Sequence, residues 1–80
     1  MKIPRDVYGR QLADHLIRSW DYREDRQTGS HIILRTEIPA GQTLPIPAHK
    51  PLRTGTLAAI VRMVADHKEV TREDILRGLQ

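Results

Sequence analysis

The sequence predicts an α+β fold: a three-stranded antiparallel sheet with helices on one face, ordered α-β-β-β-α with a short further helix at the C-terminal end. Three observations predict it. Apolar residues recur at helical spacing between Val7 and Trp20 and again after Thr54. Between these stretches lie three short strand-like segments, separated by Gly- and Pro-containing turns too short for the crossovers that parallel strands require. A helix-start signal at Thr71 then opens a last, short helix.

Val7–Trp20 (VYGRQLADHLIRSW) places Tyr8, Leu12, Leu16 and Trp20 four residues apart, with Ala13 and Ile17 beside them. That is one face of an amphipathic helix, for which Asp6 offers an N-cap. Asp21–Gln27 reads as a half-exposed strand whose one strongly apolar residue is Tyr22. Thr28-Gly29-Ser30 is a turn, and Ile32, Leu34 and Thr36 then alternate with His31, Ile33 and Arg35 in a second strand. Pro39-Ala40-Gly41 turns the chain into a short third strand, Gln42–Ile46, which Pro45 sets at a sheet edge because proline cannot donate to a ladder. The loop Pro47–Arg53 leads to a helix from about Thr54, with Leu57, Ile60, Val61 and Val64 on one face. Thr71 and Asp74 have capping-box spacing and Val70 and Ile75 hydrophobic-staple spacing, which predicts a helix over Arg72–Leu79. Helices are expected to cover the sheet through Ile32, Leu34, Leu44 and Ile46.

The 80 residues are expected to form one domain, 1–80. A core of this size supplies only about 3–5 kcal/mol, so a partner that adds stability matters to such a chain. The absence of cysteine excludes disulfides and thiolate metal sites, and a cytoplasmic location is the expectation. No window approaches the roughly 20 apolar residues of a membrane span, and no membrane partner is expected. The first residues, Met1–Asp6, lack the apolar run of a signal peptide, so the fold is expected to begin where the chain begins. Net charge is +3, from 13 Lys/Arg against 10 Asp/Glu. The excess lies in residues 1–53, and between Arg26 and Arg53 the only acid is Glu37. Such a surface attracts phosphate, although for so small a net charge a solvated face is, on composition alone, the better account.

Two of the four histidines are expected to be ordinary: His15 as a polar surface residue mid-helix, and His67 near a helix C-terminus, where partial positive charge suits the dipole. His31 and His49 stand apart. His31 opens a strand directly after a glycine turn, on the face opposite Ile32 and Leu34 and shared with Ile33 and Arg35. His49 lies in the loop PIPAHKPLRTGTL, which runs into a helix N-terminus whose free N–H groups suit anions, with Lys50 and Arg53 beside it. Nucleophilic catalysis fits poorly, because Ser30 has no carboxylate-oriented histidine at a recognisable spacing. A metal site fits poorly too: two histidines with only Glu37 between them do not resemble a zinc or two-metal ligand set, and no cofactor is implied.

Acid–base chemistry on a phosphodiester fits better. Imidazole takes and returns protons near neutral pH, and Lys, Arg and turn N–H groups stabilise charge developing on phosphorus. If the substrate is RNA, its own 2′-OH is the nucleophile, a group that DNA lacks. RNA binding without chemistry, or a role as a partner-interaction module, is the alternative. With Tyr8, Trp20 and Tyr22 as the only aromatics, there is no aromatic stacking platform.

Gly29-Ser30-His31, followed about one hairpin later by IPAHKPLRTGTL (Ile46–Leu57), together with MKIPRDV at the start and TREDIL near the end, resembles the HicA (YcfA-like) toxins of type II toxin–antitoxin pairs. The resemblance spans nearly the whole chain. It implies a double-stranded-RNA-binding-domain-like fold, metal-independent endoribonuclease action on mRNA that blocks translation (an mRNA interferase), and neutralisation by a HicB-type antitoxin in a hetero-oligomer. It also implies that His31 is the catalytic histidine, that Gly29 is the family's turn glycine with Ser30 beside it, and that His49 is the histidine of the second motif. Arg26, Arg35, Lys50 and Arg53 are the candidates for phosphate contacts. Two positions depart from the family pattern: Tyr8 where a Ser or Thr commonly precedes the helix-opening glycine, and Trp20-Asp21-Tyr22 where a Gly-aromatic pair commonly enters the first strand.

Overall fold

In a computed structural model describing residues 3–48 and 51–79, the chain runs α1 (Gly9–Ser19), β1 (Arg23–Thr28), β2 (His31–Thr36), β3 (Gln42–Pro47), α2 (Thr54–Lys68) and α3 (Arg72–Leu76). The α+β class and the α-β-β-β-α order with a short last helix are as the sequence predicts. The strands form one antiparallel sheet in the order β1-β2-β3, so Pro45 does sit on an edge strand. Ile32, Leu34, Leu44 and Ile46 are each at most 1 % exposed, and they pack in one hydrophobic cluster with Leu12 and Leu16 of α1 and Leu57, Val61 and Val64 of α2. Alternation along β2 and β3 thus assigns one sheet face to the helices and leaves the other open.

The helix boundaries carry corrections. α1 begins at Gly9, with Tyr8 rather than Asp6 at the N-cap position. Residues 7 and 8 are extended instead of helical because they pair with another segment. The Val7 carbonyl accepts the Leu52 N–H at 2.7 Å, and Tyr8 bridges antiparallel to Pro51. Tyr8 makes no side-chain cap; Gln11 Oε1 instead accepts the Tyr8 N–H at 3.4 Å.

At the other end of α1, Asp21 takes the left-handed backbone (φ 64°) that glycine favours and Asp tolerates. Tyr22 is therefore delivered to the core, at 3 % exposure, ahead of the strand. β1 starts at Arg23, two residues later than expected, and all six of its residues are exposed.

α3 stops at Leu76 instead of Leu79. Arg77 is extended and Gly78 is left-handed (φ 85°), which folds Leu79 back into the core at 1 % exposure. The capping box is as read, with Asp in the role usual for Glu. Thr71 Oγ1 accepts the Asp74 N–H at 3.1 Å, and Asp74 Oδ2 accepts the Thr71 N–H at 3.2 Å. That backbone N–H holds the Asp74 carboxyl below the usual carboxylate range.

His15 is not a surface residue. It is 3 % exposed, and its Nε2–H donates to the Ile75 carbonyl at 2.8 Å; a carbonyl only accepts, so Nε2 carries the proton. The contact ties α1 to α3 across 60 residues of sequence. His67 donates from Nε2 to the Ala40 carbonyl at 2.8 Å, and Lys68 donates to Thr36 Oγ1 and the Ile38 carbonyl with its ammonium 4.7 Å from the Tyr22 ring centroid. The C-terminal turn of α2 is thereby fastened to the loop between β2 and β3.

Candidate active site

His31 is exposed on the open face, where strand parity assigns it. The turn before it is a two-residue hairpin, with Thr28 and His31 as the last cross-strand pair. Gly29 takes φ 53°, a left-handed conformation costly for any residue with a Cβ. The glycine is thus needed for the backbone reversal that brings His31 in at the first strand position.

The open face is organised in three rows across the strands: Thr28, His31 and Pro47; then Arg26, Ile33 and Pro45; then Arg23, Arg35 and Thr43. Two features of the chain set this arrangement. The first is a bulge: Glu24 pairs with Leu34 and Arg26 with Ile33, leaving Asp25 as an extra residue in β1. Period-2 alternation from Glu24 would put Arg26 on the helix side, and the inserted residue moves Arg26 and Thr28 to the open face. The second is the pair of prolines in β3. A proline nitrogen cannot donate across a ladder, so Pro45 and Pro47 occupy pairs with Ile33 and His31 that exchange no backbone hydrogen bond. Such pairs bring Cα atoms to about 4.5 Å and side chains closest, so Pro47 is the close cross-strand partner of His31 on β3. In keeping with this phase, the next residue, Ala48, donates its N–H to the Ser30 carbonyl at 2.7 Å. That bond joins the Gly29-Ser30-His31 turn to the start of the second motif.

The candidate cations are distributed unevenly. Arg26, in the row beside His31, bonds Asp25 Oδ2 at 2.5 Å. Arg35 is two rows from His31 and forks onto Glu37 at 2.7 and 3.2 Å while bonding Thr43 Oγ1 at 3.0 Å. The Arg35 hydrogen bond is the main reason the Glu37 carboxyl lies below its ordinary range, and Arg35 is raised in return. Both pairs are solvent-exposed, a setting in which an ion pair contributes roughly 0–1 kcal/mol and exchanges readily for another anion. Arg53 stands exposed at the N-cap of α2, off the sheet face. His49 and Lys50 lie outside the described residues, so their part in the site is carried by sequence alone.

Sequence reasoning missed Thr28, Arg23, Pro45 and Pro47 as neighbours of the site. The two prolines were legible in principle, since their spacing of two places them on one strand face; the bulge that delivers Arg26 and Thr28 leaves no comparable mark. Among the described residues, no group of three or more His, Asp and Glu side chains gathers as a metal site would require. A cleft of about 520 Å³ opens elsewhere, between α2 and α3, lined by residues that include Arg62, Asp66, Arg72 and Glu73. No described helix is long and apolar enough to cross a membrane.

Among known proteins, a search of curated sequences and a search of solved structures each return no match. The family model for the HicA toxin of bacterial toxin–antitoxin systems matches residues 10–71, well over half of the chain and inclusive of the hairpin that carries His31. This chain therefore belongs to the HicA toxin family, the toxin side of a bacterial toxin–antitoxin pair.

Proposed function

We propose that the protein is a metal-independent endoribonuclease that cleaves mRNA with His31 as general base, that residues 1–80 act as one toxin domain, and that a HicB-type antitoxin neutralises it. The observation that carries this reading is the position of His31: an exposed imidazole at the entrance of the central strand, with Arg26 one row away on the same open face. In the reaction His31 takes the proton of a ribose 2′-OH. The oxygen then attacks the adjacent phosphorus, the P–O5′ bond breaks, and the products are a 2′,3′-cyclic phosphate and a 5′-hydroxyl that has gained a proton. An imidazole is suited to this step because it exchanges protons near neutral pH. Arg26, Arg35, Arg53 and Lys50 supply positive charge for the phosphate and its neighbours.

Local geometry supports the choice of His31 over the other described histidines. His15 is spent on the Ile75 carbonyl inside the core, and His67 on the Ala40 carbonyl. His49 is the candidate acid for the leaving oxygen in this scheme, with a hydrogen bond that structures its loop as the alternative role. Toxin–antitoxin membership implies an antitoxin partner, and a partner that covers the open face both blocks His31 and stabilises a small domain by binding only its folded state.

The test is cleavage of a labelled single-stranded RNA in excess EDTA by wild type and by His31→Ala, with an all-deoxy copy as substrate control. Cleavage that disappears with either change supports the reading. Cleavage by His31→Ala at the wild-type rate refutes it.

A further inference from the structure

The row next to His31 on the open face joins an apolar floor to a cation. Ile33 points away from the helices yet is only 8 % exposed, because its cross-strand neighbours crowd it. Pro45 faces it in a pair without backbone hydrogen bonds, the kind that holds side chains closest, and Pro45 itself is exposed. On the other side stands Arg26, which reaches this face only because of the Asp25 bulge. The helices need none of these three residues. The core is closed by Ile32, Leu34, Leu44 and Ile46 on the opposite face.

We infer that Arg26 and Pro45, with Ile33 packed behind them, form a nucleotide subsite: the base adjoining the scissile phosphate lies against the exposed Pro45 ring and the small exposed part of Ile33, and Arg26 holds the phosphate of that nucleotide. The inference rests on the ribonuclease reading and adds the substrate contact that reading lacks. Successive rows lie two strand residues apart, about 7 Å, a step comparable to one nucleotide of an extended chain. The apolar strip is one side chain wide; Arg26 stands in its row, and Arg23 and Arg35 stand in the next row, where both guanidinium groups lie near Glu37. This suits a ribonucleotide strand, with its alternation of flat base and anionic phosphate, better than the broader apolar patch of a protein interface. An aliphatic floor meets the face of a base and not its hydrogen-bonding edge, so the subsite senses the presence and size of a base and tolerates its identity.

The experiment measures binding of wild type to an uncleavable 2′-O-methyl RNA by fluorescence anisotropy at low salt. Single abasic positions are scanned along the strand and compared with the cleavage site mapped on the matching RNA. One abasic position, next to the cleaved bond, is expected to weaken binding about tenfold, the effect of uncovering roughly one small apolar contact area. In Ile33→Thr/Pro45→Ser the intact strand should already bind at that weakened level, and the abasic change should add little. Pro45→Ser alone is the second variant should the pair fail to fold, with about half the effect on a logarithmic scale. Arg26→Gln should lower the slope of log affinity against log salt by about one.

A flat abasic scan in a protein that still cleaves RNA overturns the subsite and leaves the nuclease reading intact, as does an equal abasic loss in wild type and double variant. A wild type that neither binds nor cleaves RNA overturns both and leaves the face to a protein partner.

Discussion

Gly9, at the first turn of α1, lies so close to the carbonyl of Pro47 that a Cβ built on it would stand 1.7 Å from the oxygen. The contact joins the start of the first helix to the end of the third strand, and Pro47 is the cross-strand partner of His31. Gly9→Ala therefore has to move backbone, not a flexible side-chain end. Overpacking of this kind costs about 1–3 kcal/mol, which should appear as a lowered urea midpoint with an unchanged m-value. RNA cleavage should fall as well, because the strand end that moves is the one paired with His31.

His15 tests the packing between the helices and the C-terminal segment. His15→Ala removes a ring filling space between α1 and the 75–78 segment and leaves the Ile75 carbonyl without its donor. The expected loss is about 2–4 kcal/mol, from an unsatisfied buried group together with a cavity. Denaturant unfolding measures the loss, and amide exchange should show the residues of α3 opening first.

Gly29 separates backbone strain from crowding. A Cβ there meets nothing within 4 Å, so its φ of 53° is the only obstacle to substitution. Gly29→Ala should cost about 1–2 kcal/mol and Gly29→Asn distinctly less, since Asn enters the left-handed region more easily. Equal costs in thermal unfolding would show that something other than backbone conformation decides the position.

Tyr22 gives a pH signature. Burial pushes its phenol up to about 12, from an ordinary value near 10. The folded state thus resists ionisation that the unfolded chain undergoes freely. Its contribution to stability is fully present below about pH 10 and is lost as pH rises towards about 12. In Tyr8→Phe, where Tyr22 is the remaining tyrosine, the phenolate absorbance of the folded protein should rise with a midpoint near 12. A midpoint near 10 would contradict the buried placement.

The elements legible in the sequence are those whose signal is local. Alternation in β2, the helical spacing of Leu57, Ile60, Val61 and Val64, and the Thr71–Asp74 box each need only a few neighbouring residues, and each stands in the structure as read. Two of the misreadings involve partners distant in the chain. Asp6 lost the cap position because Val7 and Tyr8 pair with residues 51 and 52, and His15 is buried because residues 75–78 return across it. At the site, the face of His31 follows from parity within β2. The company of Arg26 and Thr28 does not, because one inserted residue in β1 reverses the parity that the sequence displays.

The central claim, that His31 activates the substrate's own 2′-OH, is tested most directly by the ends of the cleaved RNA. Mass spectrometry of the products made in EDTA should find a 2′,3′-cyclic phosphate on the upstream fragment and a hydroxyl on the 5′ end of the downstream one. A single 2′-deoxy nucleotide at the cleaved position should abolish that cut alone. A downstream fragment bearing a 5′-phosphate, or undiminished cleavage at the deoxy position, would mean that water or another nucleophile attacks and that His31 has a different task.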